Sequence, residues 1–324
     1  MSGGQAILVI KLGAFGNVVL SLGAFAAIRR HHAGARVTLL TTAPYAAWMA
    51  DSPYFDTVWV DDRPDWWNVP GWLRLRRRLA GGRFDRVYDL QTSSRSNRYF
   101  QLLPRAARPE WSGIAPGCSH PDKDPDRDRM HDADRQAGQL RQAGIGSVPP
   151  ADLAWCAGDI ARFGLPERFA LLAPGSSPHR PAKRWPTERY GQLARALAAE
   201  GLAPVVVGSA AEAPLAAEIA RSTPAIDLTG RTGFGDLASL ARAAQLAVGN
   251  DTGPMHLFAT AGCPSVVLFS NASDPALCAP RGARVVVLRR PSLATLDLAL
   301  VREAALDLAA PRGRASELMV RRRS

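Results

Sequence analysis

Residues 6–30 read AILVIKLGAFGNVVLSLGAFAAIRR. The apolar run Ala6–Leu12 has the length and composition of a buried strand. It is followed by a loop, Gly13-Ala14-Phe15-Gly16, and then by Asn17–His32, where Val18, Leu22, Phe25 and Ala26 recur at helical spacing. The rhythm continues outward. Arg36–Thr42, Asp56–Asp61 and Arg86–Leu90 read as strands and Ala43–Ala50 as a helix. Residues 115–165 differ: a charged loop (Pro121–Arg129), a helix over His131–Ala143, then a Gly-, Pro- and Ala-rich stretch, Gly144–Gly164, that reads as a domain boundary. Strands resume at Phe169–Ala173, Pro204–Val207, Ala247–Gly249, Pro264–Phe269 and Arg284–Leu288. Between and after them, helices are expected over Thr187–Glu200, with Thr187 as N-cap, and over Glu212–Arg221, Leu237–Ala244 and Asp297–Leu308. Strand–helix alternation of this kind implies parallel pairing through right-handed crossovers. Two α/β domains are expected, residues 1–160 and 161–324.

Composition agrees. A chain of 324 residues suggests about two domains. Its 47% hydrophobic and 21% charged residues exclude wholesale disorder, collagen and a disulfide scaffold. No apolar run reaches the ~18 residues of a membrane span, and no basic segment precedes the first apolar run, so neither a transmembrane helix nor a signal peptide is expected. Cys118, Cys156, Cys263 and Cys278 form no CxxC and no zinc pattern, which fits inert thiols in a reducing cytoplasm. The net charge of +11 is concentrated in residues 71–86, with six Arg against one Asp, and in the tail 311–324, with five Arg against one Glu. Such patches suggest anionic partners. No zinc-finger or RNA-binding pattern points to nucleic acid.

Three segments carry chemistry, each following a strand, where open α/β sheets bind ligands. In the first, Gly13 and Gly16 allow a ligand to approach the backbone closely, or they form a tight strand–helix turn; the spacing is neither GxGxxG nor GK[ST]. The second, Val248-Gly249-Asn250-Asp251-Thr252-Gly253-Pro254-Met255-His256, ends a strand and starts a helix at Gly253 or Pro254. Asp251 or Thr252 would be the N-cap, and the free amides would make an anion site. The third runs from Ala173 to Pro186. It contains Ser176, His179, Arg180, Lys183 and Arg184, enough positive charge to neutralise a diphosphate.

Taken together, ILVIKLGAFGNVVLSLGAFAAIRR, APGSSPHRPAKRWPTERY and VGNDTGPMHLFATAGCPSVVLF resemble glycosyltransferase family 9, the heptosyltransferases of lipopolysaccharide core assembly. The resemblance implies a GT-B architecture, two Rossmann-like doubly wound domains facing across a cleft. It implies inverting transfer of a sugar, usually heptose from ADP-heptose, to a lipid-linked or otherwise anionic glycan acceptor. The nucleotide-diphosphate sugar is a co-substrate, and no metal or other cofactor is implied. The acceptor would bind the N-terminal domain at Gly13, Gly16 and Asn17. The donor would bind the C-terminal domain at Ser176, Lys183, Glu212, Asp251, Thr252, Gly253, Met255 and His256. Lys183 and Asp251 would share the catalytic work with Asn17.

The chain departs from the family at Asn17, where the family usually has an Asp that serves as general base. An amide has no useful proton affinity near neutral pH, so Asn17 can orient an acceptor but cannot take its proton. Asp51, Asp89 or the acceptor's own phosphate are the alternatives. Rival readings are a nucleotide-sugar-binding homologue that has lost chemistry and a GT-B epimerase, which needs no acceptor. Residues 66–79 combine Trp66, Trp67 and Trp72 with Arg74, Arg76, Arg77 and Arg78 in an amphipathic pattern. It suits an ordinary surface helix or an anionic membrane face. A cytoplasmic location, peripheral at the inner face of the cytoplasmic membrane, follows from the resemblance and from this segment.

Overall fold

The computed structural model describes residues 4–177, 179–221 and 223–310; the basic tail lies outside them. The chain forms two compact units that divide between Trp155 and Cys156.

The first unit runs β1 (Ala6–Ile10), α1 (Phe15–Leu20), α2 (Leu22–His31), β2 (Arg36–Thr41), α3 (Ala43–Ala50), β3 (Thr57–Val60), α4 (Val69–Gly81), β4 (Arg86–Asp89), α5 (Ser94–Leu102), β5 (Glu110–Gly113), β6 (His120–Pro121) and α6 (Asp132–Gln142). The second runs β7 (Phe169–Ala173), α7 (Thr187–Ala199), β8 (Ala203–Val206), α8 (Ala213–Ala220), β9 (Ile226–Asp227), α9 (Phe234–Ala243), β10 (Leu246–Asn250), α10 (Gly253–Thr260), β11 (Ser265–Phe269), α11 (Pro275–Cys278), β12 (Val285–Arg289) and α12 (Leu298–Ala309).

Each unit holds one parallel sheet. The strand orders, β3-β2-β1-β4-β5-β6 and β12-β11-β10-β7-β8-β9, are the same doubly wound order, 3-2-1-4-5-6, used twice. Crossovers leave β1 and β4 in opposite directions along the sheet, as they do β7 and β10. The carboxyl ends of each pair therefore open a crevice that no crossover covers, which is where each unit can hold a ligand. The central strands are buried on both faces, as their apolar sequences require: every residue of β1, β7 and β10 is buried.

Several expectations need correction. The helix over 17–32 breaks at Ser21, whose Oγ donates to the Asn17 carbonyl at 2.7 Å, a back-bond that competes with helical pairing. The first loop is shorter than expected, because Phe15 and Gly16 already belong to α1. Phe15 is held there by contacts with Tyr45 and Trp48. Thr187 is inside α7, and its N-cap position is Pro186. The short strands β5, β6 and β9 are not announced by an apolar run.

Candidate functional site

In the second unit the switch point lies between β7 and β10. The loop after β7 delivers Lys183 and the turn after β10 delivers Asp251, and the Lys183 Nζ donates to Asp251 Oδ2. The same oxygen accepts the Ser273 hydroxyl at 2.6 Å, and His256 Nε2 lies 3.9 Å from Oδ1. Burial pushes the Asp251 carboxyl up, but His256, Lys183 and Ser273 outweigh it and hold the group at about 2. Asp251 is therefore not the helix cap that the sequence allowed. Thr252 occupies the N-cap of α10 in extended backbone, and neither side chain caps the helix. Thr252 and Gly253 keep backbone N–H groups that no carbonyl of the helix accepts, beside the ammonium of Lys183.

Asn250 fixes the geometry of this turn. It is fully buried at the end of β10. Its Oδ1 accepts from the Trp185 N–H and the Tyr190 hydroxyl, both at 3.0 Å, and its Nδ2 donates to the Pro174 carbonyl at 2.7 Å. One amide thus ties the β7 loop, the start of α7 and the β10 turn together. Its signal in the sequence is a polar residue closing an otherwise apolar strand.

The other expected donor residues divide. Ser176 is buried, and its Oγ and carbonyl accept from Arg184 at 3.2 and 3.1 Å, so it braces the basic loop. Glu212 accepts from the Ser209 N–H at 2.7 Å and lies over Gly175, where an added Cβ would come within 1.5 Å of Oε1. That places a carboxylate above the loop after β7. Met255 is a correction: it is fully buried against Gly249, where an added Cβ would meet its Sδ at 2.6 Å, so it belongs to the core. His256 is also buried and turns toward Asp251, leaving Nδ1 with no hydrogen-bond partner among the described residues.

In the first unit the loops beyond β1, β2, β3 and β4 enclose a groove of about 1040 Å³. Its walls include Gly13, Tyr45, Asp62, Arg63, Gln91 and Arg95. Gly13 sits at φ +123°, a conformation that L side chains rarely adopt. Gly16 is buried within α1 and Asn17 is half-buried beside it; neither lines the groove. Two carboxylates shape the rim. Asp61 Oδ1 accepts the Arg63 N–H at 2.8 Å and holds Arg63 in the left-handed region at φ +49°, while its other oxygen accepts the Tyr99 hydroxyl. Asp89 Oδ1 accepts the Gln91 and Thr92 N–H groups at 3.1 and 3.0 Å, and Thr92 sits at φ +43°. Asp89 is fully buried and its carboxyl is raised by burial to about 6, which makes it a turn-former sealed from any acceptor. Asp51 is exposed at the end of α3 and lies outside the groove. The carboxylate that faces the groove without a partner among the described residues is Asp62, which the sequence reading missed.

Among the described residues no cluster of three His, Cys, Asp or Glu side chains is placed to hold a metal ion, and no helix is long and apolar enough to cross a membrane.

Asp251, Asp89 and His32, together with Asp56 and Asp132, which are also held low, set the pH dependence of stability. A carboxylate held low, as Asp251 is, contributes stability that is present above pH ~4 and lost as pH falls toward 2; at ~1.4 kcal/mol per unit this is ~2 kcal/mol. Asp89, raised to about 6, acts oppositely, because the unfolded chain ionises first and stability falls between pH ~4 and 6. His32, lowered to about 4 chiefly by burial, offsets Asp89, because the unfolded imidazole takes up its proton first and stability is lost as pH falls from ~6.5 to ~4. Urea midpoints measured from pH 2 to 7 are therefore expected to change little between pH ~4 and ~6 and to fall below pH ~4. Asp251→Asn is expected to make the fall below pH ~4 shallower, with Asp56 and Asp132 supplying the remainder; an acid limb unchanged in that variant contradicts the assignment.

The sequence profile of glycosyltransferase family 9 (heptosyltransferase) matches residues 72–298. A stretch of 115 residues is 31% identical to lipooligosaccharide heptosyltransferase 2 of Haemophilus influenzae, covering 34% of this chain and 33% of that protein. Lipopolysaccharide heptosyltransferase 2 of Escherichia coli matches at 33% identity, again over 33% of its length. The matched stretch is thus about a third of each curated relative. The fold is similar to that of a family 9 glycosyl transferase from Veillonella parvula (TM-score 0.80, 22% identity, 95% of this chain and 97% of that one). It is also similar to the fold of an E. coli ADP-heptose lipopolysaccharide heptosyltransferase II (TM-score 0.76, 22% identity, 94% and 98%).

Proposed function

This chain belongs to glycosyltransferase family 9, and on that premise we propose that it transfers a sugar, with inversion, from a nucleotide diphosphate to an anionic glycan or glycolipid. The curated relatives are named heptosyltransferases, which supports heptose as the sugar; ADP-heptose, printed in the name of a structural neighbour, is the donor we propose. The observation that carries the reading is the Lys183–Asp251 pair beside the amides that open α10, at the switch point of the second unit.

As the glycosidic bond breaks, negative charge grows on the leaving diphosphate. The Lys183 ammonium and the Thr252 and Gly253 N–H groups are fixed beforehand, so they stabilise that growing charge more than the bound donor. Asp251 holds Lys183 in place, and Ser273 and His256 hold Asp251. Glu212, above the loop after β7, is the candidate partner for the donor's ribose hydroxyls.

The first unit's groove suits the acceptor. Arg63 and Arg95 offer positive charge to an anionic glycan, and Asp62 offers a free carboxylate to take the proton of the attacking hydroxyl. This reading keeps the chain active although Asn17 cannot act as a base. The reaction would take place at the inner face of the cytoplasmic membrane, where such acceptors are made.

Calorimetry with ADP-, GDP- and UDP-sugars tests the donor site. One nucleotide is expected to bind, and Lys183→Ala is expected to weaken it by about 1–3 kcal/mol, the value of a charge-assisted hydrogen bond. Equal affinity in both proteins removes Lys183 from the site. Product release without an acceptor would favour an epimerase.

A further inference from the structure

The large apolar side chains that stand most exposed on the described residues fall in one stretch of eight: Trp66 (75% exposed), Trp67 (63%), Val69 (61%) and Leu73 (42%). A soluble surface rarely gathers such residues without a use for them. The stretch is also held firmly. The Asn68 side chain caps α4 by accepting the Gly71 N–H at 2.9 Å, the Trp72 Nε1 donates to the Asp65 carbonyl at 2.9 Å, and Arg95 donates to the Pro64 carbonyl at 3.2 Å. Gly71 allows this turn to lie close, since a Cβ there would come within 2.7 Å of Pro64. The two indoles meet edge to face at 5.4 Å. They project from a braced turn.

Charge completes the surface. On α4 the buried stripe is Gly71, Leu75 and Leu79. At about 100° per residue the opposite face carries Val69 and Leu73 in its first half and Arg77 in its second, with Arg74 and Arg76 on its two flanks. Those three arginines are exposed. Between α4 and α5 an open groove of about 560 Å³ continues the apolar part, lined by Val69, Trp72, Leu73, Leu102 and Leu103. A second hollow, lined by Asp61, Asp62, Asn68 and Arg74, joins this region to the first unit's groove.

We propose that the 65–68 turn and the outward face of α4 dock on an anionic lipid bilayer. The indoles, Val69 and Leu73 enter the headgroup boundary, and Arg74, Arg76 and Arg77 meet the acidic headgroups. Exposed tryptophans followed by an arginine fan match a surface that is apolar beneath and negative above. An aqueous anion fits the arginines but leaves the tryptophans unexplained, and an apolar protein partner leaves the arginines unexplained. The surface borders the groove that holds the candidate base, so a lipid-linked acceptor would be presented from the membrane side. The docking itself does not depend on the transferase reading.

The full chain is sedimented with phosphatidylcholine vesicles with and without phosphatidylglycerol, in the absence of donor and acceptor. Binding is expected only when phosphatidylglycerol is present, and it is expected to weaken with salt. Trp66→Ser with Trp67→Ser is expected to lower partition at least about tenfold. Replacing Arg74, Arg76 and Arg77 by Ser is expected to lower it roughly a hundredfold, at about fivefold for each arginine. None of these side chains is buried, so thermal unfolding should match wild type and exclude misfolding as the cause. Failure of the wild type to bind phosphatidylglycerol vesicles, or binding unchanged in both variants, overturns the proposal. So does a dimer that the tryptophan variant dissolves while vesicle binding persists, which would assign the surface to a second copy. Loss of vesicle binding with donor affinity intact separates this surface from the donor site.

Discussion

Asp251→Ala is expected to destabilise the second unit by about 3 kcal/mol or more. The substitution leaves Lys183, whose side chain is 13% exposed, without its counter-ion, and removes the acceptor for Ser273. Breaking one partner of a buried pair typically costs ~3–5 kcal/mol because the remaining charge is uncompensated. Urea unfolding of the full chain measures it. Lys183→Met with Asp251→Leu should recover much of the loss while still weakening donor binding, because an apolar pair restores packing but cannot meet a diphosphate. A single Asp251→Ala variant as stable as wild type would mean that the pair is not closed in solution.

Asp62→Asn is expected to lower kcat by about 10²–10⁴-fold with little change in the KM for the donor, the range typical of a lost general base. The carboxylate lies in the groove and stabilises nothing else among the described residues, so its amide should fold normally. Asn17→Asp supplies a carboxylate at the position where the resemblance to the family places a base. Asn17 does not line the groove, so this substitution is expected to leave the kcat of the Asp62→Asn variant about unchanged. Full activity of Asp62→Asn assigns the proton to another acceptor. Rescue by Asn17→Asp, a rise of about 10²-fold or more, means that the start of α1 approaches the reacting hydroxyl. Initial rates of transfer, with product analysis, distinguish these outcomes.

The parallel fold was readable because its central strands are buried on both faces. AILVI, FALLA and LAVGN are near-continuous apolar runs, and turn residues separate them from helices whose apolar residues recur at helical spacing. Short strands such as His120–Pro121 were not readable, because edge pairing needs backbone groups and no particular side chains.

For the candidate site, the sequence by itself supplied the chemical groups: an ammonium at Lys183, a carboxylate at Asp251, an amide-rich helix start at Thr252 and Gly253, and a side-chain amide at Asn17. Only the tertiary structure decided their use. Lys183 and Asp251 are 68 residues apart, and they meet because β7 and β10 are neighbours in a sheet whose order reverses between them. Met255, next to His256 in sequence, is lost to the core because successive residues on a helix point about 100° apart. Asp89 and Asp62 are alike as letters. One is sealed beneath a turn and the other opens on a groove, a difference set by which strand end each one occupies. Local sequence records what a side chain can donate or accept; its burial and its partners depend on chain segments far away.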